Sequence, residues 1–89
     1  MNKYESVIII NPTADEEKVK SLTDKFSELI NKSGKVEKVD TLAYEVKKNR
    51  EGIYVVIYFE AEPELIAELE RNYRITDEVI KFIVIKVEE

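Results

Sequence analysis

No stretch limits this chain more than Gly52-Ile53-Tyr54-Val55-Val56-Ile57-Tyr58-Phe59-Glu60, which is almost wholly β-branched and aromatic. A turn glycine precedes it and a glutamate-proline pair follows shortly after, so it has the composition of a strand apolar on both faces. A strand of that kind belongs in the middle of a sheet. Successive side chains alternate, which puts Ile53, Val55, Ile57 and Phe59 on one face and Tyr54, Val56 and Tyr58 on the other. A chain of 89 residues holds enough helix to cover only one of these faces. The opposite face, studded with tyrosines, is left for a partner or for water.

At this length one domain, residues 1–89, is expected, with a thin single core. Two glycines and two prolines leave little room for linkers. The longest apolar runs, Val7 to Ile10 and Ile53 to Phe59, are too short to span a membrane, and a cytosolic address follows as the default. The formal charge of −5 disfavours nucleic-acid binding by bulk attraction but leaves room for a local basic patch. With no histidine and no cysteine, the usual neutral-pH base, the thiolate nucleophile and the commonest metal ligands are all missing. The carboxylates have the spacing of solvated surface. We therefore expect no enzyme, no cofactor and no metal site.

Tyr4 to Ile10 has the pattern of a second central strand, ended by Asn11-Pro12. Thr13-Ala14-Asp15-Glu16 has the spacing of a capping box with Thr13 as the cap. Beyond it, Val19, Leu22, Phe26, Leu29 and Ile30 form one helical stripe, which stops at Ser33-Gly34. Lys35 to Val46 is strand-like but charged, as an edge strand would be; Val36, Leu42, Tyr44 and Val46 share a parity that Val39 breaks. Lys47 to Gly52 supplies a basic hairpin loop. Pro63 opens a second helix, with Leu65, Ile66, Leu69 and Tyr73 on one face and Arg71 and Arg74 closing it at the favourable end of the dipole. Ile75 to Glu78 is a connection, and Val79 to Val87 the last strand.

The order β-α-β-β-α-β, with right-handed crossovers, predicts an α+β ferredoxin-like sandwich: a four-stranded antiparallel sheet with both helices on one face. First and third strands are central, second and fourth are edges. Ile8, Ile10, Ile53, Val55, Ile57, Phe59, Phe82 and Val84 should face the helices. Glu5, Val7, Ile9, Tyr54, Val56, Tyr58, Lys81, Ile83 and Ile85 should face away.

Several stretches carry a family likeness. Tyr4-Glu5, Asn11-Pro12, Val36-Glu37-Lys38-Val39, Leu42-Ala43-Tyr44, the Gly52 to Phe59 strand, and Tyr73-Arg74-Ile75-Thr76-Asp77-Glu78-Val79-Ile80-Lys81 together resemble the bacterial ribosomal protein S six family, over nearly the whole chain. The resemblance implies the same fold, a structural ribosomal role in the cytoplasm, no enzymatic activity, and binding to the central domain of 16S ribosomal RNA together with ribosomal protein S eighteen. Carried over by position, Lys3, Tyr4, Lys81 and Lys86 become candidates for the RNA side. Glu5, Leu42 and Tyr44 become candidates for the protein partner. An acidic protein can sit on RNA when a basic partner shares the site and a few cations touch phosphate directly.

The sequence departs from the family at one place. Between the Val-Glu-Lys-Val and Leu-Ala-Tyr stretches the family is longer by about five residues, an odd number whose loss flips side-chain parity beyond it. Here only Asp40 and Thr41 bridge the gap. A continuous strand from Lys35 to Val46 would run roughly 40 Å, longer than its neighbour can cover. Hence an alternative reading: a shortened form of the fold, natural or engineered, with impaired RNA binding, that forms a homodimer through the edge strand Lys35 to Val46 or by strand exchange. Small-ligand binding, a third possibility for this fold, lacks the glycine-rich loop or convergent polar cluster it would need.

Overall fold

In the computed structural model, residues 1–42 and 52–87 are described, and they form six elements: β1 (Asn2–Ile10), α1 (Glu16–Asn31), β2 (Lys35–Leu42), β3 (Ile53–Ala61), α2 (Pro63–Ile75) and β4 (Val79–Lys86). The strands make one sheet in the order β2-β3-β1-β4, every neighbouring pair antiparallel. The two apolar runs are thus the central strands, as their two-faced patterns require. β1 and β3 pair without interruption from Asn2 opposite Ala61 to Ile10 opposite Ile53. No described helix is long and apolar enough to cross a membrane.

Alternation along these strands decides where the core lies. Tyr4, Ser6, Ile8 and Ile10 of β1 and Val55, Ile57, Phe59 and Ala61 of β3 are buried, and each intervening residue is half-buried. Against them α1 sets Val19, Leu22, Phe26 and Ile30, and α2 sets Leu65, Leu69 and Tyr73. Each such side chain contributes about 1.5–3 kcal/mol when fully buried. Leu29, Ile66, Phe82 and Val84 pack against the same core from its margin. Within it, Tyr73 meets Phe26 edge-on at 4.7 Å between ring centroids and Phe82 at 5.3 Å. Its hydroxyl is satisfied by Ser6 Oγ at 2.7 Å, so a buried polar pair ties the end of α2 to the central strand.

Three expectations are corrected. The first concerns the cap of α1, which is Asp15: its carboxylate accepts from the Lys18 N–H at 2.8 Å. Thr13 is engaged elsewhere, its N–H and hydroxyl both donating to Asn11 Oδ1 at 2.9 and 2.8 Å, so the box from Thr13 to Glu16 does not form. The second is the parity of β2. Its register shifts between Val36, opposite Phe59, and Lys38, opposite Tyr58, leaving Glu37 as the extra residue of a bulge. Val39 is then opposite Ile57, and both Val36 and Val39 pack on the core. The shared parity expected from Val36 onward is therefore broken at Glu37, and Leu42 stands opposite Tyr54 in the register. Third, α2 continues through Ile75 and ends on Thr76, which lies inside the stretch expected to be a connection. Ala43 to Val46 and the basic stretch Lys47 to Glu51 lie outside the described residues.

Both glycines are required by close approach. A Cβ on Gly34 would collide with the Glu60 carbonyl oxygen and lie 3.0 Å from the Ala61 Cβ. Gly52, at φ +150°, brings the chain into β3 where a Cβ would come within 2.6 Å of the Ile10 carbonyl oxygen.

Candidate nucleic-acid interface

With both helices on one side, the other side of the sheet is open, and its chemistry follows from the register. Val7 and Ile9 of β1 stand beside Val56 and Tyr54 of β3 and beside Ile83 and Lys81 of β4. Ile83 and Ile85 are 53% and 46% exposed. An apolar patch of this kind suits a protein surface more than a phosphate backbone.

Cations stand at its margins. Lys3 lies on the open face, opposite Glu60, and its carbonyl accepts from the Val87 N–H at 2.8 Å, which seats the end of β4 alongside it. Lys81 is on the same face but opposite Ile9, at the other end of β1. Six residues of strand separate the two lysine positions, roughly 20 Å. Lys86 pairs with Tyr4 and shares the parity of Phe82 and Val84, so it rises from the helix side at the Lys3 end. The structure therefore brings Lys3 and Lys86 to one corner, back to back, and sets Lys81 apart.

Tyr4 takes a different place from the one its candidacy needs. It is only 8% exposed, on the core side, with its ring stacked on Phe59 at 5.5 Å and its hydroxyl accepting from Asn2 Nδ2. The ring packs the end of the core and is not presented to a base. Glu5 is half-buried on the open face between Tyr58 and Ile85. Leu42 ends β2 opposite Tyr54, and Tyr44 lies outside the described residues.

Two placements were not anticipated. Lys38 stands over the Tyr58 ring at 5.9 Å and 3.7 Å from Asp40, covering part of the open face from β2. Arg74 lies over the Phe82 ring at 5.7 Å on the helix side of β4, with its side chain 63% exposed. Arg74 and Phe82 belong to different elements, and no local spacing rule couples them. The parity break at Val39 was the available sign of the Glu37 bulge and hence of where Lys38 points.

Among the described residues no cluster of carboxylates could hold a metal ion. Among the described residues the one strongly shifted group is Tyr73: burial drives its phenol well above the ordinary value of 10.0, the Ser6 hydrogen bond working against that and Glu70 adding to it. Such a phenol is a neutral core group. An apolar face with lysines at its ends offers contact area to another molecule.

A family model described as ribosomal protein S6 matches residues 3–86. The small ribosomal subunit protein bS6 of Helicobacter hepaticus is 50% identical over 94 residues, covering 99% of this chain and 69% of that protein. Its counterpart in Clostridium acetobutylicum is 43% identical over 95 residues, the full length of both. Since this chain has 89 residues, that alignment includes positions with no counterpart here. The crystal structure of 30S ribosomal protein S6 from Thermotoga maritima superposes with a TM-score of 0.81 at 36% identity, covering 97% of this chain and 87% of that one.

Proposed function

The chain belongs to the ribosomal protein S6 family, and on that premise we propose that it binds the central domain of 16S ribosomal RNA together with ribosomal protein S eighteen, RNA along the β4 side and protein on the open sheet face. Family membership makes its role structural and non-enzymatic, in the small subunit of the cytoplasmic ribosome. The observation that carries the finer reading is the distribution over the surface: apolar side chains line the middle of the open face, Lys3 and Lys81 stand toward its two ends, and Lys86 lies on the helix side of β4. Those three lysines are the RNA contacts of this reading, and Tyr4 supports the corner of Lys3 and Lys86 from the core. Glu5, Leu42 and Tyr44 are its contacts to the protein partner.

An overall charge of −5 makes the RNA contact depend on the partner. Binding of the full chain to a central-domain transcript, with and without S eighteen across a salt series, tests this. Affinity should require the partner and fall as salt rises, with a logarithmic slope of roughly −2 to −3 for three phosphate contacts. Lys3→Ala and Lys81→Ala should each weaken it. Absence of binding at low salt with the partner present rejects the reading. Self-association through Lys35 to Val46, the alternative, meets the Glu37 bulge and the mixed charges of β2, both of which work against strand addition.

A further inference from the structure

We infer that Arg74, seated on Phe82, is a further phosphate-contacting residue of the β4 RNA surface; this rests on the RNA reading above and extends it from the sheet to the helix side of the strand. In its bland role, Arg74 merely closes α2, where a cation suits the negative end of the dipole. Its geometry goes beyond that. Phe82 fixes the guanidinium at 5.7 Å from the ring centroid, within the range of a cation–π contact, and an arginine so held loses less freedom when it meets a ligand. The side chain nevertheless stays 63% exposed. It pairs with Glu70, at 3.9 Å one turn back, a loose contact on a partly solvated helix. A phosphate accepting two parallel N–H bonds at about 2.8 Å is a stronger partner than that carboxylate.

The surroundings support the same ligand. From Val79 to Lys86, β4 carries two lysines and no carboxylate, in a chain of net negative charge. Glu78, just before it, is drawn to Lys18 at 3.6 Å. Lys86 shares the helix-side parity of Phe82 four residues further along the strand, roughly 13 Å away. Ile75 and Ile80, 63% and 49% exposed, lie beside the ends of α2 and β4 where a ribose or a base could rest. The result is a positive border running along both sides of β4, Lys81 on the open face, Arg74 and Lys86 on the other.

The test uses the full chain with S eighteen and a central-domain 16S transcript, measured over a salt series, with thermal unfolding of each variant recorded alongside. Arg74→Gln should bind about tenfold more weakly, the worth of one charged hydrogen-bonded contact, and its salt slope should shrink by about 0.7 to 0.9. Glu70→Gln should tighten binding, because it removes the competing carboxylate; a purely structural Arg74 would show only a change in unfolding temperature. Phe82→Leu should weaken binding while preserving the salt slope, since the cation remains but its seat is lost. If Arg74→Gln keeps wild-type affinity and slope while Lys81→Ala weakens binding, Arg74 is structural and the inference is overturned. If the unsubstituted chain fails to bind, the RNA reading itself falls, and that outcome appears before any variant is compared.

Discussion

The two borders of the sheet, β2 and β4, differ in what they offer another molecule. β2 alternates Lys35, Glu37, Lys38 and Asp40 and is bent by a bulge at Glu37; mixed charge and a broken register are both ways of refusing a further strand. β4 carries six apolar residues and two lysines, with Ile80, Ile83 and Ile85 substantially exposed. An isolated soluble protein gains nothing from such a border, whereas a component of an RNA-protein assembly can have it covered. The two edges of one small sheet thus differ in chemistry, one of mixed charge and bulged, the other apolar with cations alone.

Charge reversal should break the contrast most visibly. Lys81→Glu combined with Lys86→Glu replaces two attractions to phosphate by two repulsions, and RNA affinity with the partner present should drop by at least about a hundredfold near physiological salt. Lys32→Glu combined with Lys35→Glu makes the same change of charge at the entry to β2, where binding should stay within about threefold. Equal losses from both pairs would mean that only net charge matters and that the borders are interchangeable.

Next in size is Gly34→Ala, at the start of the closed border. The added methyl meets the Glu60 carbonyl and Ala61 Cβ, neither of which is a flexible side-chain end, so β2 must shift. A loss of about 2 kcal/mol is expected from denaturant unfolding, in the range of overpacked sites. A neutral result would show β2 to be loosely docked.

Under the open border the relevant pair is Tyr73 and Ser6. Tyr73→Phe leaves the Ser6 hydroxyl buried without its partner and should cost about 1–2 kcal/mol, with Ser6→Ala adding little in the double variant. Because the folded phenol titrates above its unfolded value of 10.0, its contribution is complete below that pH and is lost as the pH rises beyond it. Stability should thus fall between pH 10 and 11 by up to about 1.4 kcal/mol more in the native protein than in Tyr73→Phe. Parallel curves would mean the phenol ionises freely in the folded state.

The central strands, the topology and the two faces were legible because β1 and β3 are apolar at both parities, which only the middle of a sheet accommodates. Lys81 and Ile83 were placed on the open face by the alternation of β4 beside β1. Tyr4 shows the limit: its parity with Ile8 marked it as inward, but an amphipathic ring near a strand end also suits a surface, and only the stacking on Phe59 decides. At the start of α1, Thr13 and Asp15 are both competent caps, and the choice depends on Asn11 capturing Thr13. Arg74 over Phe82 is a tertiary contact between α2 and β4, outside the reach of any periodicity.

Val39 gives the smallest and sharpest test. In a regular strand Val36 and Val39 point to opposite faces, yet both pack on the core, because Glu37 is accommodated as an extra residue between Val36 and Lys38. Deleting Glu37 should therefore preserve the inward positions of both valines while straightening the edge. Core burial changes little, so unfolding stability should move by less than about 1 kcal/mol, the usual scale for surface changes that leave packing intact. What should change is company: light scattering across a concentration series should show dimers growing in the deletion variant beyond any present in the native chain, since an unbulged edge is a better template for another strand. If the deletion variant shows the same mass as the native chain at every concentration, the charges of Lys35, Lys38 and Asp40 suffice to close β2, and the bulge serves only to bring both valines inward.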